Sequence, residues 1–193
     1  MLRAIDRQAY VDLDVAAGPA QGPASAPVTV VSFLDVAHHW GFGRTSLAAW
    51  REVLASYPRD VRLVVKLCPL FADHELAAEA VHAAGAQGGF WPMLDRVAAD
   101  PEHQGLDDLV AHAGAIGLDG SRLRADLEHR AFRAAVELDQ DHRLAMEIDS
   151  LPSALVNGRR VHGALPAGAC LDAIAHALQQ ARGAEATAAR PGS

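Results

Sequence analysis

Cysteine is scarce in this sequence of 193 residues. Only Cys68 and Cys170 occur, and they are far too distant from each other in the chain to form a C-x-x-C pair. Two isolated thiols in apolar surroundings exclude a disulfide framework as the organising principle of the fold. We therefore predict that each cysteine serves as a small hydrophobic residue of the core.

The sequence also lacks a surplus of positive charge and any long hydrophobic run. Its formal net charge is -7, and no basic stripe offsets that balance. Nucleic acid and anionic membranes are therefore not expected as partners. No apolar stretch approaches the length of a membrane span, and the N-terminal residues carry charges throughout, unlike a secretory signal. We expect a soluble protein of the cytoplasm.

The remaining composition is that of an ordinary globular protein. Half of the residues are hydrophobic and 21% are charged, which suits a single domain with an inserted subdomain. A stretch rich in small residues, proline and glycine precedes the first apolar segment, and the last residues are polar and lack bulky side chains. We predict a lead-in over residues 1–26, one domain over 27–180 with a helical insert at about 74–147, and a flexible tail over 181–193.

Two apolar segments, VTVVSFL and VRLVVKL, predict buried strands, because they are β-branched and bounded by turn residues. A segment with helical spacing separates them, so the two strands should be parallel. After a block of helices, Asn157-Gly158 stands between two short β-like pieces, which is a strong hairpin signal. An amphipathic helix follows. This order predicts an α/β fold in which one sheet holds two parallel strands and a hairpin.

Four segments in this order carry a resemblance to a known family. They are GPASAPVTVVSFLD, VRLVVKLCPL, LAAEAVHAAGAQGGFWPM and SLPSALVNGRRVHGALP, and together with the last helix they span roughly residues 17–180. They resemble the first two core strands, the first insert helices, and the cis-proline loop and hairpin of the DsbA-like branch of the thioredoxin superfamily. The resemblance implies a thioredoxin fold with a helical insertion.

The same resemblance locates an active-site position in the stretch FLDVAHHWGFG. The family has C-x-x-C there, at the opening of a helix whose N-terminus stabilises the nucleophilic thiolate. In this chain His38 occupies the position of the attacking cysteine and Gly41 that of the resolving cysteine, with His39 and Trp40 between them. Thiol–disulfide exchange requires a thiolate, so the resemblance implies the fold and a degenerate active site.

A second loop of the family packs against this motif and contains a cis-proline. Pro152, preceded by Leu151, fits that position, so the resemblance implies that both residues border the former active site. Cys68 follows the second strand, and the carboxyl ends of parallel strands meet at one edge of the sheet. Residual thiol oxidoreductase activity through Cys68 is therefore an alternative, although no second thiol is available to complete a dithiol cycle.

Two enzymatic alternatives centre on His38. Imidazole is the commonest zinc ligand, and His38, His39, Cys68 and His74 are candidates for a metal site at this edge of the sheet. Kappa-class glutathione transferases and 2-hydroxychromene-2-carboxylate isomerases share the general architecture and use a serine at the first position. His38 could there act as a general base on glutathione. Apart from these two alternatives, no cofactor is expected.

Three residues near the motif have structural interpretations. Asp35 could cap the amides of the following helix. Trp40 could stack a ligand or anchor a protein partner at the rim of the cleft, but it is expected to cover the edge of the core, as aromatic side chains often do. His74 is expected to be exposed, with Asp73 as the N-cap of the next helix.

The sequence therefore favours a non-redox binding or structural module that uses the former active-site cleft. Its ligand would be a small molecule, a protein or a peptide, and the sequence indicates no oligomeric state.

Overall fold

The computed structural model describes residues 7–38, 40–163 and 165–188. The β-α-β order predicted for the first half is present, followed by five helices, a hairpin and a long final helix. In chain order the elements are α1 (Arg7–Asp12), β1 (Ala20–Gln21), β2 (Val28–Leu34), α2 (Phe42–Ser56), β3 (Val61–Leu67), a 3-10 turn (Ala72–His74), α3 (Glu75–Gly85), α4 (Phe90–Ala99), α5 (Leu106–Ala115), α6 (Gly120–Glu128), α7 (Arg133–Ala145), β4 (Ser153–Val156), β5 (Arg159–His162) and α8 (Ala167–Ala188).

The strands form one mixed sheet in the order β1-β3-β2-β4-β5. The central strands β2 and β3 are parallel, and β4 pairs antiparallel with β2. The hairpin of β4 and β5 turns at Asn157 and Gly158, which both have positive φ angles, as this kind of turn requires. The predicted α/β fold, with two parallel strands, a hairpin and a helical insertion, is confirmed.

Each face of the sheet is covered by its own hydrophobic cluster. Val30 and Leu34 of β2 belong to the larger cluster, which includes residues of α2, α8 and the insert helices. Val31 and Phe33 alternate with them and pack in the smaller cluster with Met146. Because both faces are covered, β2 and β3 are apolar almost throughout.

The described part of the N-terminal segment packs in the fold, so residues 15–21 are not the separate lead-in predicted over residues 1–26. Val15 is fully buried in the smaller cluster, and β1 pairs antiparallel with β3. Gly22 has φ +90, and a Cβ there would lie only 2.2 Å from the carbonyl oxygen of Val61. The glycine-rich composition thus reflects a close approach of two backbones, which only glycine permits.

The helices α3 to α7 lie between β3 and β4, where the sequence predicts the insert at about 74–147. The last helix, α8, extends to Ala188, so residues 181–188 are helical and not the predicted flexible tail. Residues 189–193 lie outside the described residues. Among the helices of the described ranges, none combines the length and the apolar character needed to cross a membrane.

A buried ion pair joins the insert to the sheet. Lys66 on β3, the only lysine of the sequence, is 2% exposed, and its Nζ lies 3.2 Å from Oδ1 of Asp139 on α7. The other carboxylate oxygen accepts the backbone N–H of Leu67 at 2.9 Å and lies 3.1 Å from Nε2 of His82 on α3. One carboxylate therefore holds together the sheet and two insert helices.

Candidate functional site

A cleft lies where the loop after β2 meets the loop before β4. Both loops come together at the carboxyl end of β2, where a parallel α/β sheet commonly holds its ligand site. The cleft measures about 160 Å³. It is lined by Asp35, His38, Trp40, Phe42, Gly43, Leu70, Leu151 and Pro152.

Asp35 lines this cleft, is only 5% exposed, and makes hydrogen bonds to both neighbouring loops. One carboxylate oxygen accepts the N–H of Ala37 at 3.1 Å. The other accepts the N–H of Leu70 at 3.0 Å and lies 2.7 Å from Nδ1 of His74. Asp35 therefore ties the loop after β2 to the loop after β3, instead of capping the following helix as the sequence suggested.

His74 was predicted to be exposed, and the structure contradicts this prediction. Its side chain is 13% exposed, because Nδ1 pairs with the buried carboxylate of Asp35. Asp73 does not cap α3 either, since the cap position is occupied by His74 without a side-chain hydrogen bond. The 3-10 turn before α3 is thus positioned by a contact to a residue 39 positions earlier in the chain.

His38 lies in a turn and not in a helix. Its carbonyl accepts the N–H of Gly41 at 3.0 Å, and α2 begins only at Phe42. The family's motif opens a helix, so this chain places the first position of the motif one turn earlier. His38 Nδ1 accepts the N–H of Trp40 at 3.3 Å, and the neutral ring therefore carries its proton on Nε2.

Trp40 does not cover the core edge as predicted, because it is 67% exposed. Its ring centroid lies 5.0 Å from that of His38 and 5.9 Å from that of Phe42. Phe71 adds another ring, 5.9 Å from His38. The mouth of the cleft is consequently an exposed group of aromatic side chains.

Two glycines shape the start of α2. Gly41 is its N-cap and has φ 69, in the left-handed region that glycine adopts without strain. A Cβ at Gly43 would lie 2.5 Å from the carbonyl oxygen of Asp35, so the first turn of α2 packs closely against the end of β2. Gly41, which the resemblance aligns with the resolving cysteine, thus allows the backbone conformation at the start of α2.

Leu151 and Pro152 form the opposite wall, where the resemblance places them. The peptide bond between them is cis. Four of the six residues that the resemblance places at the active-site position line the cleft, namely His38, Trp40, Leu151 and Pro152, and a fifth, Gly41, is the N-cap of α2. The sixth, His39, lies outside the described residues.

The candidate metal ligands do not form a metal site in the described part of the chain. The rings of His38 and His74 are 5.9 Å apart, but Nδ1 of His74 is held by Asp35. Cys68 is fully buried and its thiol donates to the carbonyl oxygen of Asp139 at 3.5 Å. Within residues 7–38, 40–163 and 165–188, no three His, Cys, Asp or Glu side chains are grouped to hold an ion. The described candidates do not fit zinc.

Neither cysteine is placed for thiol chemistry. Burial, followed by the nearby Asp139 carboxylate, raises the pKa of Cys68 well above its usual value. Burial raises the pKa of Cys170 to about 11. Both are free thiols of the core, so the reactive thiolate is strongly disfavoured at neutral pH.

Sequence reasoning did not identify Phe42, Gly43, Leu70 and Phe71 as residues of the site. Three of them are large apolar residues with 45–53% of their surface exposed. Their adjacency to the strand ends was a usable signal, because apolar residues in loops after parallel strands face the same edge as the motif.

Substitution of Asp35 by asparagine is expected to lower the free energy of unfolding by about 1–3 kcal/mol, because a buried acceptor of several donors is lost. Urea unfolding followed by circular dichroism measures the change. Asp73→Asn is the matched control, since that carboxylate is exposed in the same loop region. Equal unfolding midpoints for the two variants would contradict the anchoring role of Asp35.

Comparison with known proteins adds a family match. A family model described as thioredoxin matches residues 14–175, which is most of the chain. Among solved structures, a thioredoxin-like oxidoreductase from Silicibacter pomeroyi is 25% identical, with a TM-score of 0.73 over 87% of this chain and 97% of the other.

Two further solved structures share the fold at lower identity. The catalytic domain of Proteus mirabilis ScsC has a TM-score of 0.75 and 16% identity, covering 90% of this chain and 98% of its own. A protein from Salmonella enterica serovar Typhimurium, described as periplasmic and thioredoxin-like, has a TM-score of 0.72 and 16% identity over 92% and 99% of the two chains.

Curated relatives carry a different name. The Na(+)/H(+) antiporter NhaA 3 of Salinispora tropica is 34% identical over 91% of this chain. The Na(+)/H(+) antiporter NhaA of Herminiimonas arsenicoxydans is 32% identical over 76% of it. The matched segments are 28% and 23% of these two proteins, so the chain spans about a quarter of their length.

Proposed function

Because the chain belongs to the thioredoxin family and has the fold of its DsbA-like members, we propose that it is a non-redox binding module whose cleft holds an extended segment of another polypeptide. The single observation that supports this function most is the retained cleft itself. It has an exposed aromatic mouth and a proline wall, while the two positions that the resemblance assigns to the disulfide are occupied by His38 and Gly41.

The surface around the cleft supports a macromolecular ligand. Trp40, Phe42, Leu70 and Phe71 are large apolar residues with exposed fractions between 45% and 67%. A cluster of such side chains at one place marks an interaction site more often than a passive surface. Aromatic residues are also the ones that most often carry binding energy at interfaces.

The backbone before β4 supports an extended ligand. Among the described residues, neither the N–H nor the C=O of Leu151 bonds to another backbone group. Leu151 immediately precedes Pro152 and lines the cleft. A polypeptide in extended conformation could pair with these groups, as in other cases of strand addition, while its side chains enter the cleft.

Binding of an unfolded polypeptide tests the proposal. We expect reduced and carboxymethylated α-lactalbumin to bind the chain. The substitution Trp40→Ala should raise the dissociation constant about tenfold or more, because it removes an exposed aromatic anchor. Titration calorimetry measures both. Leu144→Ala is the control, since Leu144 is 61% exposed on α7 and does not line the cleft. Equal affinities for the three chains, or no binding by the unsubstituted chain, would refute the proposal.

The alternatives that retain chemistry are tested separately. Dithiothreitol-driven insulin reduction above that of a cysteine-free variant would favour residual oxidoreductase activity through Cys68. Stoichiometric zinc in the protein purified without added metal, or glutathione binding lost in His38→Ala, would favour an enzyme centred on His38. We expect none of these three results, since burial raises the pKa of Cys68 and disfavours its thiolate, and the described candidate ligands do not converge.

A second candidate function follows from the curated relatives. Proteins named Na(+)/H(+) antiporter contain a segment similar to nearly all of this chain, together with a much longer remainder. We propose that the module acts on such an antiporter, either joined to it or as a separate subunit. The test uses vesicles that contain the Salinispora tropica antiporter from which the segment similar to this chain has been removed. The rate of sodium-dependent proton exchange should change at least twofold when this chain is added. No change with this chain, or the same change with Trp40→Ala, would reject this candidate.

We keep the cytoplasm as the proposed compartment. Both cysteines are free, which suits a reducing environment. The similar Salmonella protein is described as periplasmic, so the compartment requires its own experiment. Cell fractionation with detection by antibody decides it, and recovery with periplasmic marker proteins would overturn the assignment.

A further inference from the structure

The aromatic side chains of the cleft pack against one another at its mouth. The rings of Trp40 and Phe42 are 5.9 Å apart and nearly perpendicular, at 81°. The ring of His38 lies 5.0 Å from Trp40 at 54° and 6.5 Å from Phe42 at 38°. Trp40 and Phe42 keep 67% and 46% of their surface exposed, and an exposed aromatic ring presents a negative π face to a ligand. This arrangement attracts cations.

A carboxylate lies in the same lining. Asp35 is buried, and its oxygens are already bonded to two backbone amides and to His74. It therefore acts on a ligand through its charge and not through a new hydrogen bond. In a partly water-excluded cleft this charge is less screened than at the surface. The aromatic walls and the carboxylate favour the same sign of ligand charge.

The size of the cleft fits one side chain. Its volume of about 160 Å³ is close to that of a cavity of about 150 Å³, which holds a benzene-sized molecule. An alkylammonium or guanidinium group is of this size, whereas a whole tripeptide is not. The overall net charge of -7 also favours a cationic partner during the approach.

One cation of the chain lies near the rim and opposes this attraction. Nη2 of Arg44 is 3.5 Å from the position that a Cβ of Gly41 would take. Arg44 is exposed and is not part of the cleft lining. Its guanidinium therefore tunes the affinity for a cationic ligand from the outside.

We propose that the cleft selects a cationic side chain, lysine or arginine, of the polypeptide that binds there. This inference rests on the proposed peptide-binding function and specifies its ligand. Trp40, Phe42 and His38 contact the cation through their ring faces, and Asp35 supplies the compensating charge. The aliphatic part of the side chain contacts Leu151 and Pro152.

Matched peptides test the selection. Acetyl-Gly-Ala-Lys-Ala-Gly-amide should bind about tenfold more tightly than the same peptide with norleucine, which has the four side-chain carbons of lysine without the ammonium group. A glutamate peptide should bind more weakly still. Choline and its neutral isostere 3,3-dimethylbutan-1-ol serve as free ligands in the same titration calorimetry. We expect choline to bind more weakly than the lysine peptide, because the backbone contacts are missing.

Three variants connect the selection to the cleft. Trp40→Leu should lose the preference for lysine over norleucine, while Trp40→Phe retains it, because only the second keeps an aromatic face. Arg44→Gln should bind the lysine peptide about twofold more tightly, since a nearby like charge is removed. Circular dichroism verifies that the exposed substitutions leave the fold intact.

The outcomes separate this inference from the function on which it rests. Equal binding of the lysine and norleucine peptides overturns cation selection and leaves binding of unfolded α-lactalbumin untouched. Binding of choline as tightly as the lysine peptide overturns a polypeptide as the source of the cation. A preference for lysine that persists in Trp40→Leu overturns the role of the aromatic group.

Discussion

Replacement of Asp139 by alanine is expected to lower the free energy of unfolding by about 3–5 kcal/mol. The substitution leaves the ammonium group of Lys66 buried without its partner, since the side chains are only 3% and 6% exposed in the pair. It also removes the acceptor of the Leu67 N–H and the partner of His82. Urea unfolding monitored by circular dichroism measures this loss.

Two controls show whether the cost comes from the orphaned charge. The double variant Lys66→Met, Asp139→Leu should recover most of the lost stability, because an apolar pair needs no compensating charge. Glu137→Ala breaks an exposed ion pair, in which the side chains of Arg133 and Glu137 are 61% and 59% exposed. This substitution should lower the free energy of unfolding by about 0.5 kcal/mol or less. If Asp139→Ala cost no more than Glu137→Ala, the buried pair would not be an anchor of the insert.

The second large effect concerns thiol reactivity. In the native protein, Cys68 and Cys170 should react with 5,5'-dithiobis(2-nitrobenzoate) only when the chain unfolds, because both are buried with raised pKa values. A cysteine introduced by His38→Cys stands in the cleft and should react at least about a thousandfold faster, since a stable domain unfolds only rarely. The absorbance of the released thiolate follows the reaction at pH 8.

Guanidinium chloride provides the reference for this experiment, since every thiol should react at once in the unfolded chain. The variants Cys68→Ser and Cys170→Ser assign the slow phases to their residues. Fast labelling of Cys68 in the native protein would show that this thiol is accessible and would revive residual redox activity. Slow labelling of His38→Cys would show that the cleft is closed to a small reagent.

The sheet could be predicted because its signals are local. The segments Val28–Leu34 and Val61–Leu67 are mostly apolar, as is usual for strands that are covered on both faces, and Asn157-Gly158 marks the hairpin. The order of motifs predicted a candidate site at the edge of the sheet where the cleft lies. Each strand, turn and motif used for these predictions consists of residues that are close together in the chain.

The contacts inside the site could not be predicted, because they join distant residues. His74 was expected to be exposed, and its burial depends on Asp35, 39 positions away. Asp139 sits on an amphipathic helix, where an acidic residue ordinarily faces solvent, yet it meets Lys66 across the sheet. The exposure of Trp40 depends on the turn from His38 to Gly41, which begins α2 later than the family's pattern.

The pairing of β1 with β3 has a consequence for shortened versions of this protein. The two-residue strand β1 pairs with Leu63 and Val64 on the side of β3 that β2 does not occupy, so it covers the middle of that edge. A version that starts at Pro27 would expose a seven-residue, almost wholly apolar strand with free backbone groups. Such an edge is a template for pairing with a second molecule. The two residues of β1 thus protect the molecule against self-association.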